Sequence, residues 1–215
     1  MVKNSADELQ RFGNIPVDSI ALYDIAKGYM SQRNKISSME TRGDIIRLRQ
    51  GLYVVSSKIS REPISRELIA NHLYGPSYVS FETALLLYGM IPKKPFNVRS
   101  ASIKHSRLFE NAIGRFEHLY VAADYYPIGI RRHVVKNKYA YLVATPEKAL
   151  CDQILSMQNA RLHSVRNMQI YLKDKLHLTL PAPGELDMDV VRKCVETGNR
   201  ARLNALLEYL NELGY

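Results

Sequence analysis

The sequence predicts an α+β fold, and three observations predict it. Residues 1–43 read as helices broken by turns, and a single amphipathic hairpin, "DIIRLRQGLYVV" from Asp44 to Val55, follows them. Helical periodicity returns between Pro63 and Pro92 and again from Thr145 onward. Between those helices lie short runs rich in Val, Tyr, Phe and Ile, separated by Pro, Gly or Asn, which is the pattern of a small sheet.

The totals set outer bounds. A chain of 215 residues builds one large domain or two to three small ones. At 46% apolar and 24% charged it falls among globular proteins and outside the disordered class. No apolar run approaches the ~18 residues that cross a membrane. The N-terminal stretch "MVKNSADELQRF" lacks the apolar core of a secretory signal, so a cytoplasmic location and no membrane partner are expected. Cys151 and Cys194 stand far apart, in helix-like surroundings, with no second Cys or spaced His pair nearby. They read as buried thiols in a reducing compartment, and no metal site is expected.

Taken in order, Ser5 to Phe12 forms a short helix carrying Leu9 and Phe12, and Gly13-Asn14 and Pro16 break it. "PVDSIALYDIAKGYM" then reads as a helix with Ile20, Tyr23, Ile25 and Ala26 as its apolar stripe and Asp18 or Ser19 as its cap. Ser31 is placed to cap the next helix, "SQRNKISSMETR", and Gly43 to end it in a left-handed conformation. Ile36 and Met39 share one face of that helix. Asn34, Ser37, Ser38 and Thr41 fall opposite, with Arg33, Lys35 and Arg42 on the flanks. In the hairpin, a period of two sends Ile46 and Leu48 one way and Arg47 and Arg49 the other, and Gly51 permits the positive φ of a tight turn.

Helix, helix, helix, then a ribbon with cations facing outward is the order of a winged helix-turn-helix. The apolar face docks the ribbon, and the arginines are left free for phosphates beside the groove that takes the third helix. The bland alternative is a small helical subdomain with a solvated hairpin. The segment therefore points to DNA binding by Ser31, Arg33, Asn34, Lys35, Ser37, Ser38, Arg42, Arg47, Arg49 and Gln50.

Charge is unevenly placed. Residues 1–57 hold 8 cations and 6 anions, a net of +2. Residues 58–150 hold 14 and 7, a net of +7, and residues 151–215 hold 8 and 8, a net of zero. The basic middle is expected to meet an anion, nucleic acid being the usual one. A second basic patch is expected from Lys93, Lys94, Arg99, Lys104, Arg107, Arg131 and Arg132, continued by Lys136 and Lys138, with Phe96, Tyr125, Tyr126 and Tyr139 interleaved. A purely solubilising surface is the competing reading.

Beyond the connector "SSKISR", a helix near Pro63 turns Ile64, Leu68, Ile69 and Leu73 inward and stops at Gly75-Pro76. In "SYVSFETALLLYGMIP", Tyr78 and Val79 are an extended entry and Ser80 a cap. Ala84, Leu85 and Tyr88 are a buried face, Gly89 a C-terminal cap and Pro92 the stop. Strands follow at "FNVRSAS", "GRFEHLYVAA", "GIRRHVV" and "YAYLVAT". "TPEKALCDQILSM" restarts helix, with Thr145 as cap, Pro146 in the first turn, Glu147 against the dipole, and Ala149, Leu150, Ile154 and Leu155 inward. "LTLPAPGELD" reads as a loop, and "RARLNALLEYLNELGY" carries Leu203, Leu206, Leu207 and Leu210 at helical spacing. The expected organisation is a winged helix-turn-helix at 1–57 and a mixed α/β domain at 58–215, with its small sheet in 58–157 and a helical region at 158–215.

No constellation of an enzyme is found. Six scattered histidines form no HExxH or HxH arrangement, and no GxSxG elbow, Walker loop or dinucleotide fingerprint is present. His118, near Glu117 and Asp124, is read as a structural histidine. Neither a catalytic residue nor a cofactor is expected.

Three stretches, "ISSMETRGDIIRLRQGLYVV", "SYVSFETALLLYGMIP" and "ATPEKALCDQIL", together resemble the recurring motifs of AbiEi-type antitoxins of type IV toxin–antitoxin systems. The resemblance runs from about Pro16 to Leu155. It implies an N-terminal domain that represses its own operon at promoter inverted repeats in double-stranded DNA. It also implies a second domain that counteracts a nucleotidyltransferase toxin, through the toxin or its nucleic-acid target. The nucleotidyltransferase signature, Gly-Ser followed by spaced aspartates, is absent from this chain. A homodimer, or two monomers on adjacent half-sites, would match operator symmetry. Two other readings stay open: a nucleic-acid-processing enzyme using the basic middle, and a stand-alone regulator or protein-binding adaptor with no toxin partner.

Overall fold

The computed structural model describes residues 5–157 and 161–215. The first four residues of the N-terminal stretch and the opening of the expected 158–215 region lie outside the described residues. The fold is α+β, built around two sheets.

The chain opens with α1 (Ser5–Gln10), β1 (Val17–Asp18), α2 (Ser19–Ile25), α3 (Gln32–Thr41), β2 (Ile45–Arg49) and β3 (Leu52–Val55). The strands form an antiparallel sheet in the order β1-β3-β2. Val17-Asp18 was expected at the start of a helix. It is extended instead because Val17 pairs with Tyr53, and Asp18 then caps α2, its carboxylate accepting from the Ala21 N–H at 2.9 Å. That late start rotates the buried stripe of α2. Leu22 and Ala26 face the core, whereas Ile20 is 76% exposed and Tyr23 is also outside. The cap of α3 is Ser31, accepting from the Asn34 N–H at 3.3 Å, and Gly43 ends the helix at φ +73°. Leu9, Val17, Leu22, Ala26, Ile36, Met39, Ile45, Tyr53 and Val55 close this first core.

A single helical turn, α4 (Ser57–Ser60), occupies the expected connector. It leads to α5 (Arg66–Leu73), capped by Ser65. Then come β4 (Ser77–Val79), α6 (Phe81–Leu87), β5 (Val98–Ser102), β6 (Arg107–Asn111), β7 (Gly114–Tyr120), β8 (Ile130–Val135) and β9 (Tyr139–Ala144). These strands make a six-stranded mixed sheet in the order β6-β7-β5-β4-β9-β8, parallel at β4–β9 and β5–β7 and antiparallel elsewhere. Strand β6 was not expected, because its Leu108 faces solvent and weakens the apolar alternation. Helix α7 (Pro146–Ser156) is followed by α8 (Val165–Ile170), which runs into a π-helical turn (Tyr171–Lys175), and by α9 (Met188–Gly198) and α10 (Ala201–Glu212). None of these helices is long and apolar enough to cross a membrane.

Helix α7 is buried nearly all round, charged side chains included. Lys148 and Asp152 are both at 1% exposure or less, with Lys148 Nζ donating to the Tyr125 carbonyl at 2.9 Å and standing 3.4 Å from Asp152 Oδ1. Tyr78 and Ser80 donate to Asp152 Oδ2 at 3.0 and 2.6 Å. Ser80 was expected to cap α6. Its hydroxyl makes no cap bond because it is spent on Asp152. Glu147, expected to serve the helix dipole, is buried and accepts from the Asp187 N–H at 3.0 Å. The two cysteines meet between α7 and α9, and their hydrogen bond raises the Cys151 pKa and lowers that of Cys194.

The two sheets share the hairpin. Ile45, Tyr53 and Val55 lie in the first core, whereas Leu48, Leu52 and Val54 lie in the second, with Ile46 half-buried against it. Asn111 Nδ2 donates to the Leu48 carbonyl at 3.0 Å, and Asn14 Nδ2 to the Pro63 carbonyl at 2.8 Å.

Candidate nucleic-acid interface

Helix α3 buries Ile36 and Met39 and turns Arg33, Asn34, Ser37, Ser38, Thr41 and Arg42 to solvent, as its periodicity requires. The polar face is not uniformly free. Arg42 donates to Asp44 through Nε and Nη2 at 2.9 and 2.6 Å, and to Ser38 Oγ through Nη1 at 2.7 Å. Lys35 is half-buried, its ammonium 4.1 Å from the centre of the Tyr29 ring. Arg33 forms no ion pair among the described residues and stands clear beside Asn34 and the N-terminal cap.

The hairpin departs from simple alternation. A bulge at Leu48 shifts the register so that Arg47 faces Tyr53 while Arg49 faces Leu52. The two arginines, expected on one face, therefore engage different neighbours. Arg47 Nη2 binds Glu40 of α3 at 2.6 Å, which raises the guanidinium pKa, and the side chain remains half exposed. Arg49 reaches the other way, donating through Nε to the Leu73 carbonyl at the end of α5 at 3.2 Å and through Nη1 to Gln50.

That turn of Arg49 brings together residues read separately in the sequence. Arg49 and Gln50 line a cavity of about 420 Å³ with Tyr74, Lys104, Arg107 and Phe109. Lys104 Nζ donates to the Gly75 carbonyl at 2.5 Å and stands 5.3 Å from the Tyr74 ring centre. Arg107 lies 5.9 Å from Tyr74 and 4.8 Å from Phe109. Lys104 and Arg107 beside these rings, with Arg49 on the same cavity, make a surface whose chemistry suits an anion and a planar group. Tyr74, the residue that follows α5, carries no sign of this place in the sequence. Only its tertiary neighbours reveal it.

The rest of the second basic patch divides. Arg99 does not belong to a surface patch: it is half-buried, pairs with Glu82 at 2.5 Å and Glu117 at 2.7 Å, and lies 4.6 Å from the Phe81 ring centre. Its place on β5, an inner strand, explains this. Lys93 and Lys94 are exposed near a separate cavity of about 450 Å³ that Lys94 shares with Arg66, Phe96 and Arg115. Arg131 and Arg132 sit on β8, at the opposite edge of the sheet from β6, with Arg131 4.7 Å from the Tyr88 ring centre. Of the expected aromatics Phe96 is open to solvent, but Tyr125 is buried and Tyr126 packs edge-on against Tyr78.

His118 is wholly buried. One ring nitrogen meets the Ala70 carbonyl at 2.9 Å, and burial lowers the pKa. Among the described residues no three His, Cys, Asp or Glu side chains are grouped to hold a metal ion. No family model matches the chain, and no curated protein matches it.

Proposed function

We propose that residues 5–56 are a winged helix-turn-helix and that the chain is a DNA-binding transcriptional autorepressor. The observation that carries this reading is the order helix, strand, helix, helix, strand, strand around a β1-β3-β2 sheet, with a capped polar helix turned outward. In this reading α3 lies in a major groove, with Arg33 and Asn34 at base edges and Ser37 nearby. Gln50, Arg49, Lys104 and Arg107 take phosphates along one flank. Arg47 and Arg42 serve first to brace the hairpin and helix, through Glu40 and Asp44.

The test is a titration of the chain's own promoter DNA. Replacing Arg33 or Asn34 by Ala is expected to cost about 1–3 kcal/mol, roughly a 5- to 150-fold loss of affinity for the inverted repeat, with little loss on unrelated duplex. Equal losses on both DNAs would remove α3 as the reading helix.

The antitoxin part of the proposal rests on the "SYVSFETALLLYGMIP" and "ATPEKALCDQIL" stretches, whose Ser80 and Asp152 are joined by a hydrogen bond. Co-expression with a nucleotidyltransferase encoded beside this chain is expected to restore growth. Continued toxicity would leave a repressor without an antitoxin role.

A further inference from the structure

Among the described residues no carboxylate lines the cavity of about 420 Å³ that Arg49, Gln50, Tyr74, Lys104, Arg107 and Phe109 share. Its volume lies within the ~300–1,000 Å³ of ordinary small-molecule sites. All three cations are exposed side chains, so their heads are reached from solvent, and each keeps donors to offer. Arg49 uses Nε on the Leu73 carbonyl and Nη1 on that of Gln50, which leaves Nη2. Lys104 gives one of its three N–H groups to the Gly75 carbonyl. The Arg107 guanidinium meets the Tyr74 and Phe109 rings and, among the described residues, no acid. The carbonyls that anchor Arg49 and Lys104 belong to residues two apart, at most ~7 Å along the chain, so the two heads are held to one side of the cavity.

The other lining groups answer to a flat ring. Tyr74 and Phe109 are half-buried, with ring centres 5.7 Å apart, and both line the cavity. Gln50, exposed at the hairpin tip, brings an amide that both donates and accepts. A nucleobase has the matching parts, a face that stacks on aromatic rings and an edge carrying donors and acceptors. A single phosphate carries about two negative charges, so three cations match a diphosphate more closely than a monophosphate.

We propose that this cavity binds a nucleoside diphosphate and that the bound nucleotide competes with DNA for Arg49, Lys104 and Arg107. The first half stands alone, and the second rests on the DNA-binding reading. Calorimetry on the full chain with adenosine diphosphate is expected to give saturable binding at one site. A chelator is present throughout, since no carboxylate lines the cavity to help hold a magnesium ion. Pyrophosphate and adenosine are each expected to bind at least about tenfold more weakly, one lacking the ring contacts and the other the charge contacts. Lys104→Ala combined with Arg107→Ala is expected to weaken the diphosphate at least about tenfold, with a melting temperature near the parent's because both side chains are exposed. Tyr74→Ala is expected to weaken adenosine diphosphate and to leave pyrophosphate unchanged. Absence of adenosine diphosphate binding at millimolar concentration overturns the proposal, as does parental affinity in the double variant. Pyrophosphate binding as tightly as the nucleotide overturns the ligand class. In a titration of promoter DNA, saturating nucleotide is expected to weaken the parent several-fold and the double variant not at all. Unchanged DNA affinity in the nucleotide-bound parent overturns the competition, whereas nucleotide binding by a chain that takes no promoter DNA overturns the DNA reading and leaves the nucleotide site in place.

Discussion

Arg49 at the tip of the hairpin and Lys104 on the loop after β5 each donate to a carbonyl at the C-terminal end of α5, Leu73 and Gly75 respectively, and Tyr74 stands between those two acceptors. The helix end gathers the cations, since its unpaired carbonyls carry the negative pole of the dipole. Two distant segments thereby present one basic edge. Replacing both Arg49 and Lys104 by Ala is expected to reduce the slope of log affinity against log salt by about two units, one per phosphate contact, with similar effect on promoter and unrelated DNA. An unchanged slope would place the duplex elsewhere.

Glu40 holds Arg47 at the surface, and a half-exposed pair of this kind contributes no more than about 1 kcal/mol. Glu40→Gln is expected to leave the denaturation midpoint nearly unchanged. It also removes an acid beside the polar face of α3 and frees a guanidinium, so DNA affinity is expected to rise several-fold. A drop in affinity, read by the same titration, would mean that the pair positions the hairpin for binding.

The Lys148–Asp152 pair behaves differently because neither group reaches water. Asp152→Ala leaves an ammonium buried alone and takes the acceptor from Tyr78 and Ser80, which is expected to cost about 3–5 kcal/mol in urea unfolding. Lys148→Met combined with Asp152→Leu is expected to lose less than the sum of the two single changes, because no uncompensated charge remains. Strict additivity would show that the pair is uncoupled.

Acid should weaken the fold through His118. Burial lowers its folded pKa below the unfolded value of 6.5. The unfolded chain therefore takes up a proton that the folded chain refuses, so this stability is fully present above pH 6.5. It is lost as pH falls from there through the folded pKa. His118→Gln keeps a donor toward Ala70 and cannot titrate. The drop in unfolding midpoint between pH 7.5 and pH 5.5 is expected to be smaller in this variant than in the parent; an identical drop would assign the acid sensitivity to other groups.

Local rules carried some elements intact and failed on others for physical reasons. Helix α3 was readable because its cap Ser31, its stop Gly43 and its buried pair Ile36 and Met39 all follow from positions within one helix. The hairpin was readable as a hairpin, but the bulge at Leu48 follows from packing on two cores at once and redirected both arginines. Nothing local marks Lys148 and Asp152 as buried, because their partners Tyr78, Ser80 and Tyr125 come from other elements. Arg99 was misplaced for the same reason, its two glutamates arriving from α6 and β7. The basic groove was written in two halves, and neither Gln50 nor Arg107 signals the other.

Because alternate residues of one ribbon are driven into two separate interiors, a change in either core reaches the same two strands. Under the proposed DNA reading, a duplex touching both α3 and the Arg49–Lys104–Arg107 edge meets them at a spacing set by this shared ribbon, so selection among sequences would fall partly on how readily the DNA bends.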